Sequence, residues 1–196
     1  MTNAPTHLLY LHGFRSSPQS FKAQCLARAV AALAPPPHWC CPQLPPSPAQ
    51  AMAQLRLAVA DWPRDRMAVL GSSLGGFYAQ LLASELGCPV VLLNPAVQPA
   101  RDLAAHIGEH PAWHDPAQRI HFDAAFIDEL CDLESTPVRH QPPMLALIAK
   151  GDEVLDWREM LAAYGHDRVR LLEGSDHALS DFEALLPEVL GFLGLR

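Results

Sequence analysis

The segment from Met67 to Gly87 constrains the fold more than any other. A short apolar stretch, Met67–Leu70, enters Gly71-Ser72-Ser73-Leu74-Gly75-Gly76, and an apolar helical pattern then runs to Leu86 and stops at Gly87. Consecutive apolar residues without polar alternation read as a strand buried on both faces, the kind found in parallel sheets. Gly87 stands where a helix favours a left-handed stop. A chain holding such a strand–turn–helix unit needs further parallel strands beside it and helices to cover both faces of the sheet.

The rest of the chain supplies them. His7–Leu11, Pro89–Leu93, Met144–Lys150 and Arg168–Leu172 are short apolar runs read as strands, and Trp39–Leu44 is read as another. Helical spacing predicts helices over Ser20–Ala34, ended by three prolines, and over Pro48–Trp62, capped by Ser47. Two more are expected over Trp157–Ala163 and Ser180–Leu195, the last interrupted or kinked at Pro187. The expectation is an α/β fold with a mostly parallel sheet of about six strands and helices on both faces, in a single domain over residues 1–196. Ala96–Pro143 reads as irregular and rich in His and Asp, with helical pieces at Ala100–Ile107 and Ala124–Leu130. Such a long segment suits a short lid or a binding loop. Trp113, Phe126, Ile127 and Leu130 either wall an apolar pocket there or form its own core, and Phe77 reads as core packing.

Composition excludes several classes. With 49% hydrophobic and 18% charged residues the chain is globular, not disordered. Its net charge is −7, and the fourteen Lys and Arg form no basic stripe, so no nucleic-acid partner is expected. No apolar run reaches membrane-spanning length, and the first residues lack the basic start of a signal peptide. Five cysteines, an odd number without C-x-x-C spacing, suit free thiols in a reducing compartment. A cytoplasmic location is therefore expected.

The serine turn also carries the chemistry. Gly71–Gly75 matches G-x-S-x-G with Ser73 at its centre, and the pattern sits between a strand and a helix. A serine there is pushed into the open on a sharp turn, with glycines relieving the crowding around it. A serine hydroxyl reacts only when a base takes its proton. His177 follows the last strand, in Ser175-Asp176-His177, and is the candidate base. Asp152, at the carboxyl end of Met144–Lys150, is the candidate that orients the imidazole. The order Ser73, Asp152, His177 is that of α/β-hydrolases. Ser72 is the rival nucleophile. Asp156, Glu153 and Asp176 are rival acids, with Asp156 equally suited to capping the helix from Trp157.

An acyl-transfer site also needs donors for the developing oxyanion. The backbone N–H of Leu74 is one candidate, and that of Phe14, in His12-Gly13-Phe14-Arg15 after the first strand, is the other. His12 is expected to hold this loop by hydrogen bonds, while Arg15 fits either the surface or the mouth of the site. His110, His114, Asp115, His121 and Asp123 are metal-ligand types but lack HExxH or comparable spacing, so no metal is expected. The same residues allow a non-enzymatic binding module on this fold, or amide or lactone hydrolysis by the same three groups.

Six motifs resemble a known family in register: LLYLHGFRSSPQSFKA near the start, PQLPP at 42–46, LGSSLGGFYA at 70–79, LLNPAVQP at 92–99, GDEVLDWRE at 151–159 and GSDHALSDFE at 174–183. Together they are similar to the small YqiA-like (UPF0227) esterases of bacteria, over nearly the whole chain. The resemblance implies a minimal α/β-hydrolase with a short lid, acting on a small-molecule carboxylic ester or acyl-thioester without a cofactor. It matches Ser73 to the family's nucleophile, Asp152 to its acid and His177 to its histidine.

Overall fold

A computed structural model describes residues 4–195. In chain order its elements are β1 (His7–Leu11), α1 (Phe21–Ala31), β2 (His38–Cys40), α2 (Pro48–Ala58), β3 (Met67–Ser72), α3 (Leu74–Leu86), β4 (Val90–Leu93), α4 (Pro99–Leu103), β5 (Gly108–Pro111), β6 (Arg119–Phe122), α5 (Ala125–Glu134), β7 (Met144–Ala149), α6 (Trp157–Tyr164), β8 (Val169–Leu172) and α7 (Phe182–Phe192). Six strands form one sheet in the order β2-β1-β3-β4-β7-β8, every pair parallel. The central register sets Leu11 beside Gly71 and Ser72 beside Leu93, so β1, β3 and β4 end at one level.

The pleat divides the core in two. Leu9, Leu11, Val69, Leu92 and Ile148 face α2, α3 and α6, together with Phe77. Leu8, Tyr10, Leu70, Val91, Leu147 and Ala149 face α1 and α7. Both sides of the middle strands are thus dry, which is why their sequences are apolar without alternation. Ser47 caps α2 by accepting from the Gln50 N–H, and Gly87 ends α3 at φ 73°. Helix α7 runs through Pro187 as one helix. No helix among the described residues is long and apolar enough to cross a membrane.

Two expectations need correction. The strand expected over Trp39–Leu44 is only His38–Cys40, because β2 is an edge strand paired with β1 over three residues. The chain then leaves the sheet so that Leu44 can reach His12. The stretch from Ala96 to Pro143 is not irregular. It holds α4, the antiparallel pair β5–β6 and α5. Phe122 and Leu130 are fully buried, while Phe126 and Ile127 pack on the same core. Glu129 fastens α5 to the start of α2, its Oε2 accepting from Ser47 Oγ at 2.7 Å and the Ala49 N–H at 2.9 Å.

Candidate active site

The site is built where strands end. Ser73 follows β3 directly, Asp152 lies just past β7, and His177 lies past β8. Carboxyl ends of parallel strands are where such sheets place their sites. Ser73 holds φ 55° and ψ −124°, a region that side-chain-bearing residues avoid. Two of its backbone bonds tie it to the end of β4 and the loop that follows. The Ser73 N–H donates to the Leu93 carbonyl at 3.0 Å, and the Ala96 N–H donates to the Ser73 carbonyl at 3.1 Å. The turn closes so tightly that a Cβ on Gly71 would lie 2.1 Å from the Gly75 carbonyl oxygen. One on Gly75 would lie 2.2 Å from that of Leu11. Both glycines are thus required by contact.

Three side chains far apart in sequence meet at this turn. His177 Nδ1–H donates to Asp152 Oδ2 at 2.7 Å, and Ser73 Oγ lies 3.1 Å from His177 Nε2. The Asp152 side chain is fully buried, and its Oδ1 accepts from the N–H groups of Val154 and Leu155, each at 2.8 Å. With both oxygens engaged, the carboxylate cannot turn away. It fixes the proton on Nδ1 and leaves the Nε2 lone pair facing the Ser73 O–H.

The rivals do other work. Asp156 caps α6, accepting from the Arg158 N–H at 2.9 Å. Glu153 accepts the His177 backbone N–H at 3.0 Å. Asp176 accepts from the Ser180 N–H and hydroxyl at 2.9 and 2.6 Å. Ser72 is buried at the end of β3.

Gly13 lies against the turn, since a Cβ there would come 3.1 Å from Ser73 Cβ. The Phe14 and Leu74 N–H groups find no acceptor among the described residues, and both residues share a cavity wall with Ser73. His12 holds the loop as one neutral tautomer. Its Nδ1–H donates to the Gly13 carbonyl at 3.0 Å, and its Nε2 accepts the Leu44 N–H at 3.1 Å. Burial pushes its pKa below the ordinary histidine value.

Arg15 clamps the stretch from Ala96 to Pro143, an insertion between β4 and β7. Its Nε donates to the Pro111 carbonyl at 2.9 Å, its guanidinium sits 4.1 Å over the Trp113 ring, and its own carbonyl accepts the Trp113 N–H at 2.9 Å. Of the metal-ligand types in this stretch, His121 lies 3.8 Å from Asp123. His121 also pairs with Glu109 at 2.8 Å, His110 lies 2.7 Å from the His106 carbonyl, and Asp115 and Asp123 accept local backbone N–H groups.

Sequence reasoning missed several supports. Asn94, fully buried at φ 42°, donates from Nδ2 to the carbonyls of Asp176 and His177 at 2.9 and 3.1 Å, and its Oδ1 accepts the Ala149 N–H at 2.8 Å. One side chain thereby ties the ends of β4 and β7 to the histidine loop. The only signal was an asparagine at a strand end, a residue type that tolerates positive φ. Lys22 Nζ donates to the Ala178 carbonyl at 2.5 Å. Gly151 lets the Asp152 and His177 loops touch, since a Cβ there would meet the Ser175 carbonyl oxygen at 2.5 Å.

The family described as "Uncharacterised protein family (UPF0227)" matches residues 7–194. The chain belongs to that family. Among solved structures, the UPF0227 chain is similar to one from work on the metagenome-derived lipolytic enzymes LipS and LipT. That match has a TM-score of 0.70 at 22% identity, covering 96% of this chain and 93% of that one. It is similar to alpha/beta hydrolase domain-containing protein 10 from mouse, with a TM-score of 0.71 at 16% identity and 98% and 92% of the two chains covered. It also resembles Est1E from Butyrivibrio proteoclasticus with ferulic acid bound, with a TM-score of 0.68 at 15% identity and 95% and 88% covered. These likenesses establish the α/β-hydrolase fold for the UPF0227 chain.

Two cavities of the UPF0227 chain meet at Ser73 and His177. One, of about 380 Å³, runs under α4 and the insertion. The other, of about 700 Å³, opens toward the start of α1. Phe14, Trp113 and Val154 line both. Trp113 stands exposed at the mouth, whereas Phe126, Ile127 and Leu130 border neither cavity.

Proposed function

We propose that this protein is a serine hydrolase that cleaves carboxylic ester or acyl-thioester bonds through an acyl-enzyme. The observation that carries the reading is the continuous chain from buried Asp152 through His177 to Ser73 Oγ, spanning 2.7 and 3.1 Å. His177 Nε2 takes the Ser73 proton as Oγ attacks the acyl carbonyl carbon. Asp152 steadies the resulting imidazolium. The Phe14 and Leu74 N–H groups, free of other acceptors among the described residues, receive the oxyanion, and the N-terminus of α3 adds positive partial charge. His177 then protonates the leaving alkoxide or thiolate. Water attacks the acyl-enzyme with His177 again as base, releasing the acid and restoring Ser73. His177 relays each proton, first from Ser73 to the leaving group and then from water to Ser73, so the scheme uses no cofactor. That solved structures of this fold come from work on lipolytic enzymes supports the reading of a hydrolase. The reading includes a cytoplasmic location, supported by five free cysteines.

An active-site phosphonate probe and Ser73→Ala test it. The probe should label Ser73 and no other serine, and Ser73→Ala should lower kcat by about 10⁶ for a good ester substrate. Unchanged esterase activity in folded Ser73→Ala would falsify the proposal.

A further inference from the structure

We propose that the two cavities meeting at Ser73 are chemically opposite subsites: the smaller takes an apolar acyl chain, and the larger takes a neutral, hydroxyl-rich alcohol. The inference rests on the reading of Ser73 as nucleophile and names the substrate class of that site.

The smaller cavity is lined by Leu74, Ala96, Pro99, Leu103 and Leu155. Of its polar neighbours, Asp102 and Arg15 are already engaged, and the His106 ring packs against Phe14 at 5.8 Å. Asp102 accepts from Arg101 at 2.8 Å, and Arg15 is held by the Pro111 carbonyl and the Trp113 ring. What remains is apolar surface that gains from an alkyl chain, at about fourfold per methylene buried.

The larger cavity differs in kind. Ser16, Ser20, Lys22, Glu153 and Ser180 contribute to its wall. Ser20 Oγ is buried with no hydrogen-bond partner among the described residues, and Ser20, standing at the N-cap of α1, makes no capping bond. Lys22 has one partner, the Ala178 carbonyl, and no carboxylate within 4 Å among the described residues. Burial pushes its pKa down to about 8, and Asp176 and Asp152 partly restore it. A half-desolvated ammonium beside an unsatisfied hydroxyl calls for an acceptor from the ligand. Glu153 on the same wall, with Asp152 and Asp176 close by, disfavours a second anion there. A neutral polyol meets both demands: its oxygens accept from Lys22 and its hydroxyls donate to serine and carboxylate oxygens.

Two ester series on the intact chain test the assignment. One varies the acid from acetate to octanoate on a single alcohol. The other holds butyrate and varies the alcohol among glycerol, ethanol and glycolate. Wild type should gain about fourfold in kcat/KM per methylene until the smaller cavity fills. It should prefer the glycerol ester about tenfold over the other two. Leu103→Trp should abolish the gain for long acids and leave the alcohol preference intact. Leu155→Trp, at the half-buried mouth, is the variant to read if Leu103→Trp does not fold. Lys22→Met and Ser20→Ala should erase the glycerol preference and leave the acid profile unchanged. The assignment is overturned if Lys22→Met shifts the acid profile, if neither tryptophan variant does, or if glycolate esters are preferred. Failure of the underlying reading looks different: Ser73 takes up no phosphonate probe and no ester in either series is hydrolysed.

Discussion

The carboxamide of Asn94 holds the backbone of His177, Nδ2 donating to the His177 carbonyl at 3.1 Å while also bonding the preceding carbonyl. Its Oδ1 accepts the Ala149 N–H, three residues before Asp152. His177 and Asp152 are therefore both referred to one buried side chain. Asn94→Ala leaves those groups unpaired, at about 1–3 kcal/mol for each that water cannot reach. It should lower the melting temperature and lower kcat by about 10- to 100-fold with KM little changed, because the imidazole loses its aim while the cavities persist. Steady-state kinetics and thermal melts on one sample decide it. A KM effect with normal kcat would contradict this role.

Ser73 is held at φ 55°, where a side chain strains the backbone by about 1–3 kcal/mol. Glycine adopts this conformation freely. Ser73→Gly and Ser73→Ala should both be inactive, and the glycine variant should be the more stable by about 1 kcal/mol even after its larger unfolded-state entropy. For a chain of this size that is a melting difference of roughly 2–4 °C. Equal melting temperatures would mean that the turn stores no strain.

What the sequence disclosed follows from where each segment lies. β3, β4 and β7 are dry on both faces, so burial wrote itself into MAVL, VVLL and MLALIA. The serine turn was legible because contact permits only glycine at 71 and 75. β5 and β6 carry Glu109, His110, Arg119 and His121 on a partly exposed hairpin, so no apolar period marks them and the segment reads as loop. Asn94 and Arg15 were opaque for another reason. Their partners lie 55 to 96 residues away, and nothing local in the sequence records such a bond.

Arg15 joins the loop of Phe14 to the hairpin through the Pro111 carbonyl and the Trp113 ring. Arg15→Ala removes both contacts, the ring contact alone contributing about 0.5–2 kcal/mol. Amides of residues 108–122 should then exchange faster while those of β3 and β4 stay protected. Because Arg15 itself sits at φ 61°, Arg15→Gly should recover global stability relative to alanine without restoring protection in the hairpin. Hydrogen exchange on the three proteins tests both statements.

Gly71 and Gly174 offer a matched pair. A Cβ on Gly71 would lie 2.1 Å from a carbonyl oxygen and 2.7 Å from Ala79 Cβ, whereas one on Gly174 would meet nothing within 4 Å. Backbone cannot yield to the first without moving the serine turn. Gly71→Ala should cost several kcal/mol or prevent folding, beyond the usual overpacking range of about 1–3 kcal/mol. Gly174→Ala should stay within about 0.5 kcal/mol of wild type with normal activity. Denaturant titrations of the two variants provide the comparison.

His12 makes the fold sensitive to acid. As a neutral ring it gives one proton to the Gly13 carbonyl and receives one from the Leu44 N–H. A second ring proton would face the Leu44 N–H and break that bond. Burial is the main cause of its lowered pKa, opposed by the Gly13 carbonyl and reinforced by His114. The unfolded chain therefore binds this proton more readily than the folded one. The neutral ring's contribution to stability is fully present above the unfolded value of about 6.5 and is lost as pH falls from there through the lower folded value. His12→Gln carries no titrating ring, so its melting temperature should decline less than that of wild type between about pH 7 and pH 5. Parallel slopes for the two proteins over that interval would show that His12 takes no part in acid sensitivity. Because His12 adjoins Gly13 and Phe14, wild type should also lose hydrogen-exchange protection at Leu44 first, before β3 and β4 open.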